Sequence, residues 1–300
     1  MINVFIIVIN VLDWRKSGNI KPYDKLMLNL GLSRVFLLLC FLFRIINRIG
    51  ELNAYSTDTA RWVFRLAQFS FDFSSLWFTM WLCVLYYVKI GIFKNILLIR
   101  FKLSMPQLIS PMILTSSVLS ISFGFIFAFN VKETSDSMDA MYIPSNKSWV
   151  EDLKFVLPSY FFGHFVPFIV ASVSNFLLIE TISVHIQHIK KNMTGFTTPN
   201  VDAHVSAIRS VCLLQFMNMC NLICTVLVRF YLCKGVFKNI SFLIVNFYPT
   251  LHSVAFIISN AKLKRAFWRI MDCVPGCCKI EPSASIHHLE NKAETVVQQK

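Results

Sequence analysis

Arg34, Asp72 and the adjacent pair His252-Ser253 are the residues with chemistry to offer, because each lies inside a long apolar run. Ionisable or strongly hydrogen-bonding groups in such runs are expensive to place and face a bundle interior or a wet cavity. Arg34 sits within the run 26–43, too deep to snorkel cheaply, and its five guanidinium donors need acceptors from other segments. Asn3 and Ser253 are the expected partners, whereas Arg44 lies near an edge and reads as a snorkelling residue. Asp72 shares a helical face with Gln68 and Leu76. A lone carboxylate at that depth is either protonated or turned toward a wet cavity. There it would attract a cationic amine; the alternative is a structural pairing with Arg65 or Arg61. This is the chemistry of binding rather than of catalysis. The chain contains no Gly-rich phosphate loop and no nucleophile–base pair of a known pattern. His185 and His188 stand at i, i+3, but no Cys or carboxylate joins them, and His164, His204 and His252 are scattered, so neither a metal nor a cofactor is expected.

The elements that would position these groups are membrane helices. Mean hydropathy is +0.58 and 55% of residues are hydrophobic, in blocks that reach the roughly 20 residues needed to cross a bilayer. Six spans are expected, at 25–46, 62–92, 108–129, 155–189, 207–232 and 236–260, preceded by an apolar fragment at 1–12 that is too short to span. No linker or repeat divides the chain, so one membrane domain is expected over 1–269, followed by a polar cytoplasmic tail at 270–300. The net charge of +13 resides in short connections between apolar blocks, which excludes a nucleic-acid partner and fits the positive-inside rule. Taking alternate connections as cytoplasmic gathers Arg15, Lys16, Lys21, Lys25, then Lys89, Lys94, Arg100, Lys102, then Lys190, Lys191, Arg209. That arrangement puts the N-terminus outside the cell and the C-terminus inside. The partner of the surface is then a lipid bilayer.

Residues at 262–269 mix bases with Leu263, Phe267 and Trp268, and read as a short amphipathic helix on the inner leaflet. Cys273, Cys277 and Cys278 follow it and are candidates for lipidation. Cys40, Cys83, Cys212, Cys220 and Cys224 lie within apolar spans and are not a disulfide framework. Of the sequons at Asn146, Asn192 and Asn239, only Asn146 sits well inside an outer loop and is expected to carry a glycan.

Several motifs recur in order along these spans. The second helix carries Leu30-Gly31-Leu32-Ser33-Arg34; the third has Trp77, Leu82, Tyr86, Lys89, Ile90 and Phe93; the fifth runs Leu177-Leu178-Ile179-Glu180-Thr181-Ile182 to His185. Thr194-Gly195-Phe196, Pro199, Ala203-His204 and Arg209 follow. The last span contains His252-Ser253 and Asn260, then Lys262-Leu263-Lys264. Together these resemble the type 2 taste (bitter) receptors, a family of G-protein-coupled receptors, whose patterns are L-A-x-S-R, W-x-A-T-x-L-x-x-F-Y-x-L-K-I, T-G-x-x-D-P…A-H and H-S…K-L-K. Gly31, Thr79, Gly91 and Thr198 depart from those patterns. The loop 130–154 has no Cys, and D-R-Y and N-P-x-x-Y are missing, unlike most rhodopsin-like receptors.

The resemblance implies an all-α, seven-transmembrane-helix receptor bundle. Asn3, Phe5, Ile6, Asn10 and Asp13-Trp14 resemble the second half of the family's first helix, so that helix is expected to be truncated in this chain. A missed upstream exon or start codon is the preferred explanation, and a true six-span receptor is the alternative. The resemblance further implies a small-molecule bitter ligand held among the outer helix halves, with Gln68, Asp72, Ser75, Phe162, Phe165, Phe230 and Phe242 as candidate contacts. Asn3, Arg34, His252 and Ser253 would form a core that sets the inactive–active balance. Lys89, His185, Lys191 and Arg209 would face a heterotrimeric G protein of the taste, Gi/transducin-like type. A vomeronasal-type chemosensory receptor is the nearest rival, and the L-x-x-S-R and H-S…K-L-K combination argues against it. A transporter or channel subunit would want paired intramembrane charges or broken helices, of which the chain offers only scattered ones.

Overall fold

Glycine and a threonine punctuate the first helices. α1 (Ile2–Ser17) ends where Gly18, at φ 68°, donates its N–H to the Trp14 carbonyl at 2.9 Å, a left-handed stop open to residues without a Cβ. α2 (Pro22–Ile49) starts on a proline, which has no amide hydrogen to leave unsatisfied there. α3 (Asp58–Ile90) is capped by Thr57, whose side chain accepts from the Ala60 N–H. The computed structural model of the protein describes residues 2–18, 20–49, 57–91, 93, 96–130, 157–192, 199–229 and 235–272. α4 (Ile96–Asn130) follows, then a π-helical turn (Phe161–Phe165) leading into α5 (Val166–Asn192), α6 (Pro199–Arg229), α7 (Gly235–Ser259) and α8 (Ala261–Asp272).

Six of these helices are long and apolar enough to cross a membrane, at Pro22–Asn47, Thr59–Ile90, Leu98–Phe129, Leu157–His188, Val205–Val228 and Asn239–Ser259. They correspond in order to the six expected spans. The largest difference is α4, which starts at Ile96 rather than near 108 and passes through Pro106 and Pro111. Basic residues obscured that extension, yet Lys102 is accommodated. Its ammonium donates to the Gly91 carbonyl at 2.9 Å and lies 5.7 Å from the Phe93 ring centroid. α1 has 16 residues, so at about 1.5 Å per residue it is shorter than a hydrocarbon core. It packs on α2, α7 and α8.

Burial is inverted relative to a water-soluble core. Phe176, Phe216, Phe247, Leu103 and Ile240 are exposed on the outer surface, while Asn3, Arg34, Ser75, Thr79, His164, Asn218, His252 and Ser253 are buried. Lipid is as apolar as a leucine side chain, so apolar surface gains little from facing inward, and polar groups gain partners there. Two apolar clusters flank this polar layer. One joins Leu26, Leu30, Leu82, Leu85, Met105, Ile109 and Phe256; the other joins Phe69, Phe73, Phe127 and Tyr160.

Candidate functional site

The polar layer is organised by Arg34, which is only 2% exposed. Nη1 donates to Ser253 Oγ at 2.8 Å, Nε to Ser75 Oγ at 3.2 Å and Nη2 to Thr79 Oγ1 at 3.2 Å. Thr79 passes its own hydrogen to the Ser75 carbonyl at 2.7 Å. Ser253 lies 2.5 Å from Asn3 Oδ1 and 2.8 Å from the Pro249 carbonyl, and its single hydroxyl hydrogen serves one of them at a time. Arg34 of α2 therefore binds α3 and α7 directly, and α1 joins the junction through Asn3 and Ser253. Pro249 has no N–H of its own, so α7 is locally weakened beside this junction. His252 is buried in the same layer, edge-on to Tyr248 at 5.5 Å between ring centroids. The Tyr248 hydroxyl donates to Asn218 Oδ1, which ties α7 to α6.

Beside this junction lies a narrow cavity of about 20 Å³, room for about one water. Leu76, Thr79 and Met80 of α3 line it, with His164, Pro167, Phe168 and Ala171 from the π turn and α5, and Asn218, Asn221 and Leu222 of α6. Thr79 and Asn218 belong to both structures: each lines the cavity, and each is hydrogen-bonded into the network around Arg34 or Tyr248.

The π turn shapes the far wall. Val166 donates its N–H to the Phe161 carbonyl, five residues back, and Pro167 cannot donate at all, so the helix widens there. Gly163 lets Phe73 pack against this turn; a Cβ on it would stand 2.3 Å from the Phe73 ring. His164, 3% exposed, is thereby set face-on to Tyr160 at 4.4 Å and edge-on to Phe73 at 5.0 Å. Its Nε2 comes within 3.5 Å of Asp72 Oδ2, and the Asp72 side chain stays 22% exposed.

The other expected ligand contacts are distributed around this centre. Gln68 is half-buried one turn before Asp72. Ser75 is 4% exposed and engaged by Arg34, so it serves the junction. Phe162 is 51% exposed and stacks on Phe123, away from the cavity. Phe165 packs on the Phe69–Phe73–Tyr160 cluster. Phe242 meets Phe41 at 6.2 Å, with the Arg44 guanidinium 5.8 Å from its ring centroid. Phe230, Asn146, Cys273, Cys277 and Cys278 lie outside the described residues. Sequence reasoning passed over Asn218 and Asn221; the available signal was two amides at i, i+3 in the apolar run of α6. His164 was read there only as one of the scattered histidines that form no metal site.

At the opposite end of α3, Leu178, Ile182 and Ile186 of α5 pack with Tyr86, Tyr87, Val205 and Ile208. This brings exposed Lys89, His185 and Arg209 to one end of the bundle, where Lys191 also lies in the last turn of α5. Tyr23 and Tyr86 share a hydrogen between their hydroxyls, and Asn260 Nδ2 donates to Tyr23 at 2.8 Å. Asn260 Oδ1 accepts from the Leu263 N–H at 3.3 Å, which caps α8. α8 buries Leu263 and turns Phe267 edge-on to Phe5, leaving Lys264, Trp268 and Arg269 exposed.

Successive membrane-crossing helices with a buried polar junction, closed by an amphipathic α8, have the architecture of a G-protein-coupled receptor. The crystal structure of squid rhodopsin superposes with a TM-score of 0.62, over 94% of this chain and 83% of that one, at 12% identity, which supports the fold alone. The sequence defines the group within that class. The model of the taste receptor protein (TAS2R) family matches residues 1–275, and the chain belongs to that family. Relatives include taste receptor type 2 member 39 of Homo sapiens, 26% identical over 275 residues, covering 89% of this chain and 81% of that protein. Taste receptor type 2 member 4 of Gorilla gorilla gorilla is 29% identical over 276 residues, covering 90% of this chain and 92% of that one. The family is one of receptors, and the chain is a multi-pass membrane protein of that kind.

Proposed function

We propose that this chain is a bitter taste receptor of the plasma membrane, with its N-terminus outside and C-terminus inside the cell. A small organic ligand enters among the outer halves of the third, fifth, sixth and seventh helices, and the bound receptor activates a heterotrimeric, transducin-like G protein. Residues 1–269 form the receptor unit, and 270–300 form its cytoplasmic tail. The observation that carries this reading is the double membership of Thr79, which lines the cavity and accepts from Arg34. A ligand that widens the cavity acts on the wall that also fixes the four-helix junction. Differential contact of that kind is what shifts a conformational equilibrium. Lys89, His185 and Arg209, exposed at the other end, supply a basic surface for the G protein, with Lys191 a further candidate.

The test is intracellular calcium in cells expressing the chain with a taste-type G protein α subunit, challenged with bitter compounds. A concentration-dependent response that disappears without the α subunit is expected. Silence to a broad panel, from a chain shown to be at the cell surface, would overturn the reading.

A further inference from the structure

We propose that the groove between α2 and α4, at the basic end of the bundle, binds one anionic phospholipid, with Gln107 at its centre and Lys25 and Arg100 on either side. Exposed Leu103, Leu114, Val118 and Ile121 mark the outer side of α4 as a surface that faces lipid. A slanted row of polar side chains crosses that surface. Ser104, Gln107 and Ser110, spaced three apart, are all exposed within the span Leu98–Phe129. Ser117 and Ser122 turn back onto carbonyls of their own helix, whereas Ser104 and Gln107 have no hydrogen-bond partner among the described residues. An unsatisfied amide in hydrocarbon is costly, so the row needs a partner that the membrane supplies.

Charge selects that partner. The Lys25 ammonium reaches from α2 to Ser110 Oγ at 3.3 Å. Ser110 stands about two turns further into the span than Lys102, whose bond to the Gly91 carbonyl marks the end of the bundle. Lys25 is thus drawn inward against a hydroxyl. Arg100, exposed and without a partner among the described residues, lies two turns before Gln107 on the same face of α4. α4 contains no Asp or Glu, and α2 only Asp24, in its first turn, whose charge acts on Tyr23 and Tyr86. Both basic side chains are long enough to bend toward Gln107. A phosphodiester seated there takes both charges, with hydrogens from the Gln107 amide and the Ser104 hydroxyl, and its acyl chains lie along Leu114 and Val118. Basic grooves between membrane helices on the cytoplasmic side suit anionic headgroups in this way, and this is the cytoplasmic side in the orientation proposed above. A second copy of the chain fits less well, because two-fold pairing through this face would set Lys25 and Arg100 against their own counterparts.

The experiment is native mass spectrometry of the purified full chain in detergent, titrated with phosphatidylserine, phosphatidylcholine or inorganic phosphate. Phosphatidylserine is expected to bind about tenfold or more tightly than phosphatidylcholine, the worth of two bases facing an anionic lipid, and inorganic phosphate should not displace it. Lys25→Gln and Arg100→Gln should each weaken phosphatidylserine by about fivefold. Gln107→Leu removes no charge and should still weaken it by about twofold to tenfold, the range for one hydrogen bond. Thermal unfolding checks that each variant is folded. No effect of Gln107→Leu, or an equal loss on replacing exposed Lys264 and Arg269 of α8 by Gln, would reveal a diffuse basic surface and overturn the site. Equal retention of phosphatidylcholine, displacement by inorganic phosphate, or a dimer that Gln107→Leu dissolves would overturn it too. Binding is read without signalling, so a chain silent to bitter compounds defeats the receptor reading and leaves this site standing.

Discussion

Arg34 and Ser253 are separated by 219 positions in the chain, and the guanidinium of one donates to the hydroxyl of the other at 2.8 Å. The bond joins α2 to α7 beside the proline that weakens α7. Its strength reflects its setting, since a hydrogen bond to a charged group that has lost its water is worth more than one at a surface.

Ser253→Ala removes that acceptor and the link onward to Asn3. We expect a loss of about 1.5–3 kcal/mol of receptor stability, the range for a hydrogen bond to a charged group, together with altered basal signalling. Thr79→Val removes a second acceptor of the same guanidinium. The two substitutions share one partner, so their effects should be non-additive by at least about 0.5 kcal/mol. Thermal unfolding of the purified receptor and its variants in detergent measures both quantities; strict additivity would show that Arg34 does not couple them.

Gly163→Ala pushes a methyl into the Phe73 ring, against a 2.3 Å approach. Overpacking of this kind costs about 1–3 kcal/mol. The same displacement moves His164, so agonist potency should fall together with stability. Adding Phe73→Leu should restore much of the stability, because a smaller side chain makes room for the new methyl. Thermal unfolding and the calcium response of the single and double variants check this.

Tyr23→Phe removes the hydroxyl that connects Tyr86 of α3 to Asn260 at the α7–α8 junction. About 0.5–1.5 kcal/mol should be lost per hydrogen bond. These bonds hold adjoining ends of α2, α3 and α7 together, so their loss should raise agonist-independent signalling. Basal inositol phosphate accumulation, normalised to surface expression, reads it; an unchanged basal level would remove the latch from the mechanism.

Glycosylation checks the proposed orientation. With the N-terminus outside, the sequon at Asn146 lies in an outer connection and that at Asn192 in a cytoplasmic one. Asn146→Gln should abolish the mobility shift produced by an endoglycosidase, and Asn192→Gln should leave it intact. The reverse pattern would invert the topology.

Much of this receptor was determined by its sequence directly. A chain in lipid must satisfy every backbone group internally and clothe its helices in apolar side chains, so long apolar runs mark the spans wherever they occur. Arg34 and Ser253 were legible for the complementary reason. A charge or hydroxyl deep in such a run has to find a partner inside the bundle, and the chain offers few.

Helix rotation was decided only by the tertiary structure. In water, an amphipathic stripe declares which face is buried; in lipid both faces of α4 and α5 are apolar, and the stripe fades. Periodicity therefore could not tell that Phe162 turns away from the cavity while His164 turns into it. That assignment depends on the extra residue in the π turn, on Pro167, and on the space Gly163 leaves for Phe73. Likewise, Ser75 and Asp72 occupy one helix three residues apart, yet one was taken up by Arg34 and the other by His164. Each choice was made by what the neighbouring helices presented at that depth, which is a property of packing across the bundle rather than of any single segment.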